Sequence, residues 1–184
     1  MTRIFTILAS INALALAAAF GVGSASHLQS SSQNPADSLY LFHFTLGLFS
    51  AIATLLVHCL IFTYFLGTGR WVKEVKLAYS LPDVPLPLLT RELKRKTFPP
   101  ALAAMLITIA TSAAGMGAQI GGWPWQVHGS LALATLVINI WACGIEYRNI
   151  RTNSRVIEEV MHEVERIRAE RGLPRNSQAL DRDV

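Results

Sequence analysis

His43, His58 and His128 lie inside long apolar stretches, where an imidazole is costly unless another group uses it. A neutral imidazole offers one nitrogen to a metal while a neighbour fixes its other N–H. Histidines on facing helices can therefore clamp a haem iron or share a metal ion. His43 and His128 each fall two or three residues inside the same end of their segments, and so at one depth. They are the candidate ligands, either for one b-type haem held between them or for another metal or a quinone. His58 lies ~22 Å deeper at 1.5 Å per residue, opposite Cys143 rather than another histidine. It reads as a buried hydrogen-bonding group, or as a lone cofactor ligand or part of a proton path. The plainer reading of His43 and His128 is a pair of helix-start residues at a membrane interface, bonded to head groups, water or each other.

These side chains need helices to carry them. Leu41 to Leu66 contains no Asp, Glu, Lys or Arg, and ~20 apolar residues in a helix cross a bilayer. Ile4–Gly23, Ala101–Ile120 and Gln126–Glu146 are further apolar runs of spanning length. The first exceeds the ~7–15 residue core of a signal peptide, so it is expected to stay as a helix. Its Ala9, Ala13, Ala17 and Gly21 form a ridge on which another helix can pack closely, and Asn12 is expected to bond across a helix interface. The expected fold is an all-α, polytopic four-helix transmembrane bundle over residues 1–148, with helical extensions outside the membrane.

The second and fourth spans match at a constant separation of 85 residues. His43-Phe-Thr-Leu-Gly-Leu-Phe-Ser50 aligns with His128-Gly-Ser-Leu-Ala-Leu-Ala-Thr135, and His58 with Cys143. A duplicated two-helix hairpin is the reading. At ~100° per residue, His43, Gly47, Ser50, Thr54 and His58 share one stripe. His128, Ala132, Thr135, Asn139, Cys143 and Glu146 form the matching one. Both stripes should face the bundle interior. Ser50, Thr135 or Gln119 could fix the imidazoles, and Gly47, Ala132, Gly115 and Gly129 could leave room for a haem. In outline this resembles the bis-histidine four-helix membrane cytochromes b. Those that pass electrons across the bilayer carry two histidine pairs; here the second is missing, and no local motif of such a family is present.

Charge sets the expected topology. The net charge is +4, and every Lys and Arg lies at Arg3, in Arg70–Lys96 or in Arg148–Arg182. Such blocks follow the positive-inside rule rather than a nucleic-acid patch. Both termini and the basic loop 67–100 are expected to be cytoplasmic, in a bacterial inner membrane. Within the loop, Arg70–Tyr79 should extend the second span, Pro82, Pro85 and Pro87 should break it, and Leu88–Lys96 should form a short helix. Pro99-Pro100 should introduce the third span, and Trp71 should anchor at the interface. Residues 149–172 read as a separate amphipathic helix with a seam at Ile157, Val160, Val164 and Ile167 and pairs Arg155/Glu159, Glu163/Arg166 and Glu165/Arg168. Residues 173–184 read as a flexible tail.

Charged residues make up 15% of the chain, against ~25% in soluble domains. Cys59 and Cys143 lie in apolar spans and are expected as buried free thiols. Phosphate loops, zinc-protease motifs and paired zinc cysteines are absent from the sequence, and no acid is expected mid-membrane, which lowers the case for a small transporter. Two functions remain in front. One is a non-catalytic subunit or assembly component of a membrane complex, meeting other subunits or its own copies through the ridge and helix 149–172. The other is an electron carrier with one haem b on His43 and His128.

Overall fold

The computed structural model describes residues 1–29, 36–81 and 86–174. Four helices account for nearly all of them: α1 (Thr2–Leu28), α2 (Ser38–Tyr79), α3 (Leu86–Ile120) and α4 (Trp125–Glu170). All four are long and apolar enough to cross a membrane. They pack in chain order around the bundle, α1 on α2, α2 on α3, α3 on α4 and α4 back on α1, with a lesser contact across the diagonal between α2 and α4.

The interior is unusually polar and the exterior apolar. Asn12, Ser50, Thr54, His58, Thr108, Thr135, Asn139 and Glu146 are buried, while Ile7, Ile11, Phe49, Leu56, Leu106, Val137 and Trp141 are exposed. Water would drive the opposite arrangement; hydrocarbon favours this one, because polar groups find partners only inside the bundle. With four spanning helices, it makes this an integral membrane protein. Asn12 meets its expectation by accepting a hydrogen bond from Thr54 Oγ1 at 3.1 Å. The expected ridge does not form the buried face of α1, however. Phe5, Asn12, Ala19 and Ser26 do, at a seven-residue spacing, and Ala17 and Gly21 are exposed.

Several expected boundaries move. α1 runs on to Leu28, past the expected end at Gly23, and His27 stacks on Trp125 with ring centres 4.0 Å apart. α2 begins at an Asp37 cap, whose Oδ1 accepts from the backbone of Leu39 and Tyr40. It does continue through Arg70–Tyr79, and ends at Ser80 in the left-handed conformation. The expected breaks at Pro82 and Pro85 fall outside the described residues. Pro87 does not break structure: it lies in the first turn of α3, where a missing N–H is harmless.

Pro99 and Pro100 lie inside α3 rather than at its start, so the expected short helix 88–96 and the third span are one helix. Proline there removes donors that an isolated helix would need. Tertiary contacts hold the turn instead. Thr97 Oγ1 donates to Leu93 O at 2.8 Å and accepts from Asn149 Nδ2 on α4 at 2.8 Å, while Leu93 lies in an apolar core with Phe5, Val57, Ile61, Phe65 and Ile150. The separate helix expected at 149–172 is likewise the continuation of α4, because residues 146–156 hold neither Gly nor Pro.

At 1.5 Å per residue, α2 and α4 are ~63 and ~69 Å long, about twice the hydrocarbon thickness. Their far ends pair with each other. Val72 and Leu81 pack on Val160 and Val164, with Trp71, Val75, Tyr79 and Ile167 around them. Trp71 is thus part of this stalk rather than a free interfacial anchor. The seam uses Val156 as its buried member where Ile157 was expected. Of the expected pairs, Glu163 and Arg166 meet, and Arg166 also binds Glu170 at 2.7 Å. The Arg166 guanidinium holds the Glu163 carboxyl below its usual range. These groups are exposed, so the pair contributes little to stability. Arg168 instead donates to Tyr79 Oη at 3.1 Å and to the Pro174 carbonyl. The tail from residue 175 on lies outside the described residues.

Candidate functional sites

The α1–α2 end of the bundle brings His43 and His128 together. Their ring centres are 6.1 Å apart and their planes inclined by 70°. His43 Nδ1 lies 3.0 Å from Ala19 O on α1, and His128 Nδ1 lies 3.0 Å from Thr111 O on α3. A carbonyl only accepts, so each Nδ1 carries a proton, and the neutral form of each ring has its lone pair on Nε2. The fixing groups are therefore backbone carbonyls, not the side chains of Ser50, Thr135 or Gln119. Ser50 Oγ instead caps Leu46 O, and Thr135 Oγ1 pairs with Thr111 Oγ1.

Each ring lies against a glycine on the helix it bonds. A Cβ on Gly23 would stand 2.5 Å from His43 Cε1, and one on Gly115 would stand 2.9 Å from His128 Cε1. Gly115 is thus used to seat His128 rather than to leave room for a ligand, and Gly129 lies against Trp125. The two pockets correspond: the histidines are 85 residues apart, while the accepting carbonyls and the glycines are each 92 apart. In both, the glycine follows the bonded carbonyl by one helical turn.

His58 lies in a second site, deeper in the bundle. Its Nδ1 is 2.7 Å from Glu146 Oε1 and its Nε2 is 3.0 Å from Asn139 Oδ1, and all three residues are buried. Glu146, expected on the inward-facing stripe of α4, is 0% exposed. The continuation of α4 carries it inside, one turn from Cys143 on the face toward α2. Cys143 is half-buried, and Cys59, expected inside, is exposed on the outer face of α2.

Hydrogen bonding fixes most protons here. Asn139 Nδ2 donates to Thr135 O at 2.8 Å and to Thr108 Oγ1 at 3.3 Å. Its Oδ1 therefore faces His58, and His58 Nε2 must be the donor. One further proton lies between His58 Nδ1 and Glu146 Oε1. The pair is neutral overall whether that proton rests on nitrogen or oxygen, which is what a low-dielectric interior favours. Glu146 Oε2 has no hydrogen-bond partner. A groove of about 260 Å³ between α1 and α4 reaches this site, with Asn12, Asn139 and Cys143 in its wall.

No family model, curated protein or solved structure matches this chain.

Proposed function

We propose that this protein is a membrane electron carrier that binds one b-type haem between His43 and His128. The observation that carries the reading is the pair itself: two rings with centres 6.1 Å apart, each pinned through Nδ1 so that both Nε2 lone pairs are free. A metal bonded at ~2 Å to one nitrogen of each of two imidazoles sets their centres about 6 Å apart. Pinning by a backbone carbonyl is also how a protein orients an imidazole for iron. Bound there, a haem would be held by His43 and His128 and would supply reversible one-electron chemistry.

The basic residues at Arg3, Arg70–Lys96 and Arg148–Arg182 favour a cytoplasmic stalk and termini, with the histidine pair near the outer face of a bacterial inner membrane. The matching pockets support a duplicated hairpin. A second reading, a subunit of a larger membrane complex or a homo-oligomer, is favoured by Ala17 and Gly21, which are exposed and leave the outer part of the ridge free to receive a helix. It is compatible with haem binding.

The test is the absorption spectrum of protein purified in mild detergent after haem-sufficient expression. A Soret band with sharp α and β bands on dithionite reduction is expected, and His43→Ala and His128→Ala should each abolish it, while Cys59→Ala should not. A folded, colourless preparation that takes up no added haem overturns the reading.

A further inference from the structure

A ring nitrogen of His58, Cys143 Sγ and a Glu146 carboxylate oxygen lie within 4.8 Å of one another in the bundle interior. The haem reading does not use them. We propose that they form a buried site for a divalent transition metal of zinc type, with Asn139 as its positioning residue.

Three features lead there. The ligands are the imidazole, thiolate and carboxylate that zinc accepts, drawn from α2 and from two positions one turn apart on α4. The tautomer is already set: Asn139 Oδ1 holds the Nε2–H of His58, and Asn139 is itself held by Thr135 O and Thr108 Oγ1. That leaves Nδ1 as the donor atom, with its orienting partner in place. Glu146 is 0% exposed, yet its Oε2 has no partner. A cation at the cluster centre would give this oxygen one.

Charge balance favours the exchange. Without metal the cluster holds the proton shared between His58 and Glu146 and the proton of the Cys143 thiol. A divalent ion that displaces both leaves a neutral imidazole, a thiolate, a carboxylate and two positive charges on the metal. Net charge is zero before and after, so the membrane interior imposes no penalty for a new net charge. Three protein ligands leave a fourth position. The groove between α1 and α4, which Cys143 and Asn139 help line, lies beside the cluster.

The experiment uses tag-free, full-length protein in detergent, stripped with chelator and dialysed against zinc ion alone. About one zinc per chain is expected, with a zinc-edge absorption spectrum fitted by one sulfur neighbour at ~2.3 Å and nitrogen or oxygen neighbours at ~2.0 Å. Two protons should be released per zinc bound. Cys143→Ala leaves the His58–Glu146 hydrogen bond intact, so it should fold and should lose the sulfur neighbour and the tight zinc. Asn139→Ala should weaken zinc binding ~10–100-fold. His43→Ala combined with His128→Ala should leave zinc binding unchanged, which separates this site from the haem reading. Failure to retain zinc in the wild type, retention unchanged in Cys143→Ala, or loss of zinc only in the His43/His128 double variant each overturns the proposal.

Discussion

Gly23 and Gly115 decide how two imidazoles are held. Each is the surface on which a histidine ring lies, and each is followed through by the same geometry at Ala19 and Thr111 one turn earlier. Gly23→Ala should push the His43 ring off α1 and break the bond to Ala19 O, because the new Cβ would stand 2.5 Å from Cε1. Overpacking of this kind costs roughly 1–3 kcal/mol. The measurement is thermal unfolding in detergent alongside the haem spectrum, and both should suffer. Gly21→Ala is the control: nothing lies within 4 Å of a Cβ there, so stability and spectrum should match the wild type. The histidines were legible in the sequence because imidazole is rare in an apolar run. Their fixing partners were not, since a backbone carbonyl has no residue type and can be found only by knowing which helix faces which.

Elements carry a second lesson, in the stalk. α2 and α4 pass well beyond a bilayer's thickness and close on each other through Val72, Leu81, Val160 and Val164. A seam at Ile157, Val160, Val164 and Ile167 was visible in the sequence, though Val156 rather than Ile157 is its buried member, but whether it met a partner chain or its own chain depended on the length of α2. Val160→Asp buries an unpaired charge in that contact, so it should open the stalk without disturbing the membrane region. Limited proteolysis should then cut between residues 70 and 80 or beyond 156, while the spectrum at His43 and His128 stays unchanged. An unaltered digestion pattern would mean that the stalk is not held by this seam. The prolines teach the same point from the other side. Pro99 and Pro100 are strong local helix breakers, yet Thr97, Asn149 and the packing of Leu93 keep α3 continuous.

The whole molecule has an asymmetry of charge along its long axis. The histidine pair lies at one end, and the stalk with most of the Lys and Arg lies at the other. Single cysteines placed at exposed positions in a Cys59→Ala, Cys143→Ala background should report which end faces which compartment. Cysteine at Arg151 should react with an impermeant thiol reagent only in inverted vesicles, and cysteine at Trp123 only in right-side-out ones. The reverse result would place the histidine pair on the cytoplasmic side.

What the sequence by itself determined was the class: the apolar runs demand a membrane, and the charge blocks separate a basic end from one without Lys or Arg, because transfer free energy and length act residue by residue. It also named His43, His58 and His128, since a polar group in hydrocarbon stands out wherever the chain goes. Only the tertiary structure decided their company. It joined Glu146 and Asn139 to His58 across more than 80 residues of chain, pinned His43 and His128 on backbone carbonyls, carried α3 through two prolines and closed the stalk on itself. Those outcomes depend on which helix faces lie opposite one another, and satisfaction of buried polar groups is a property of such pairs of faces, not of any segment alone.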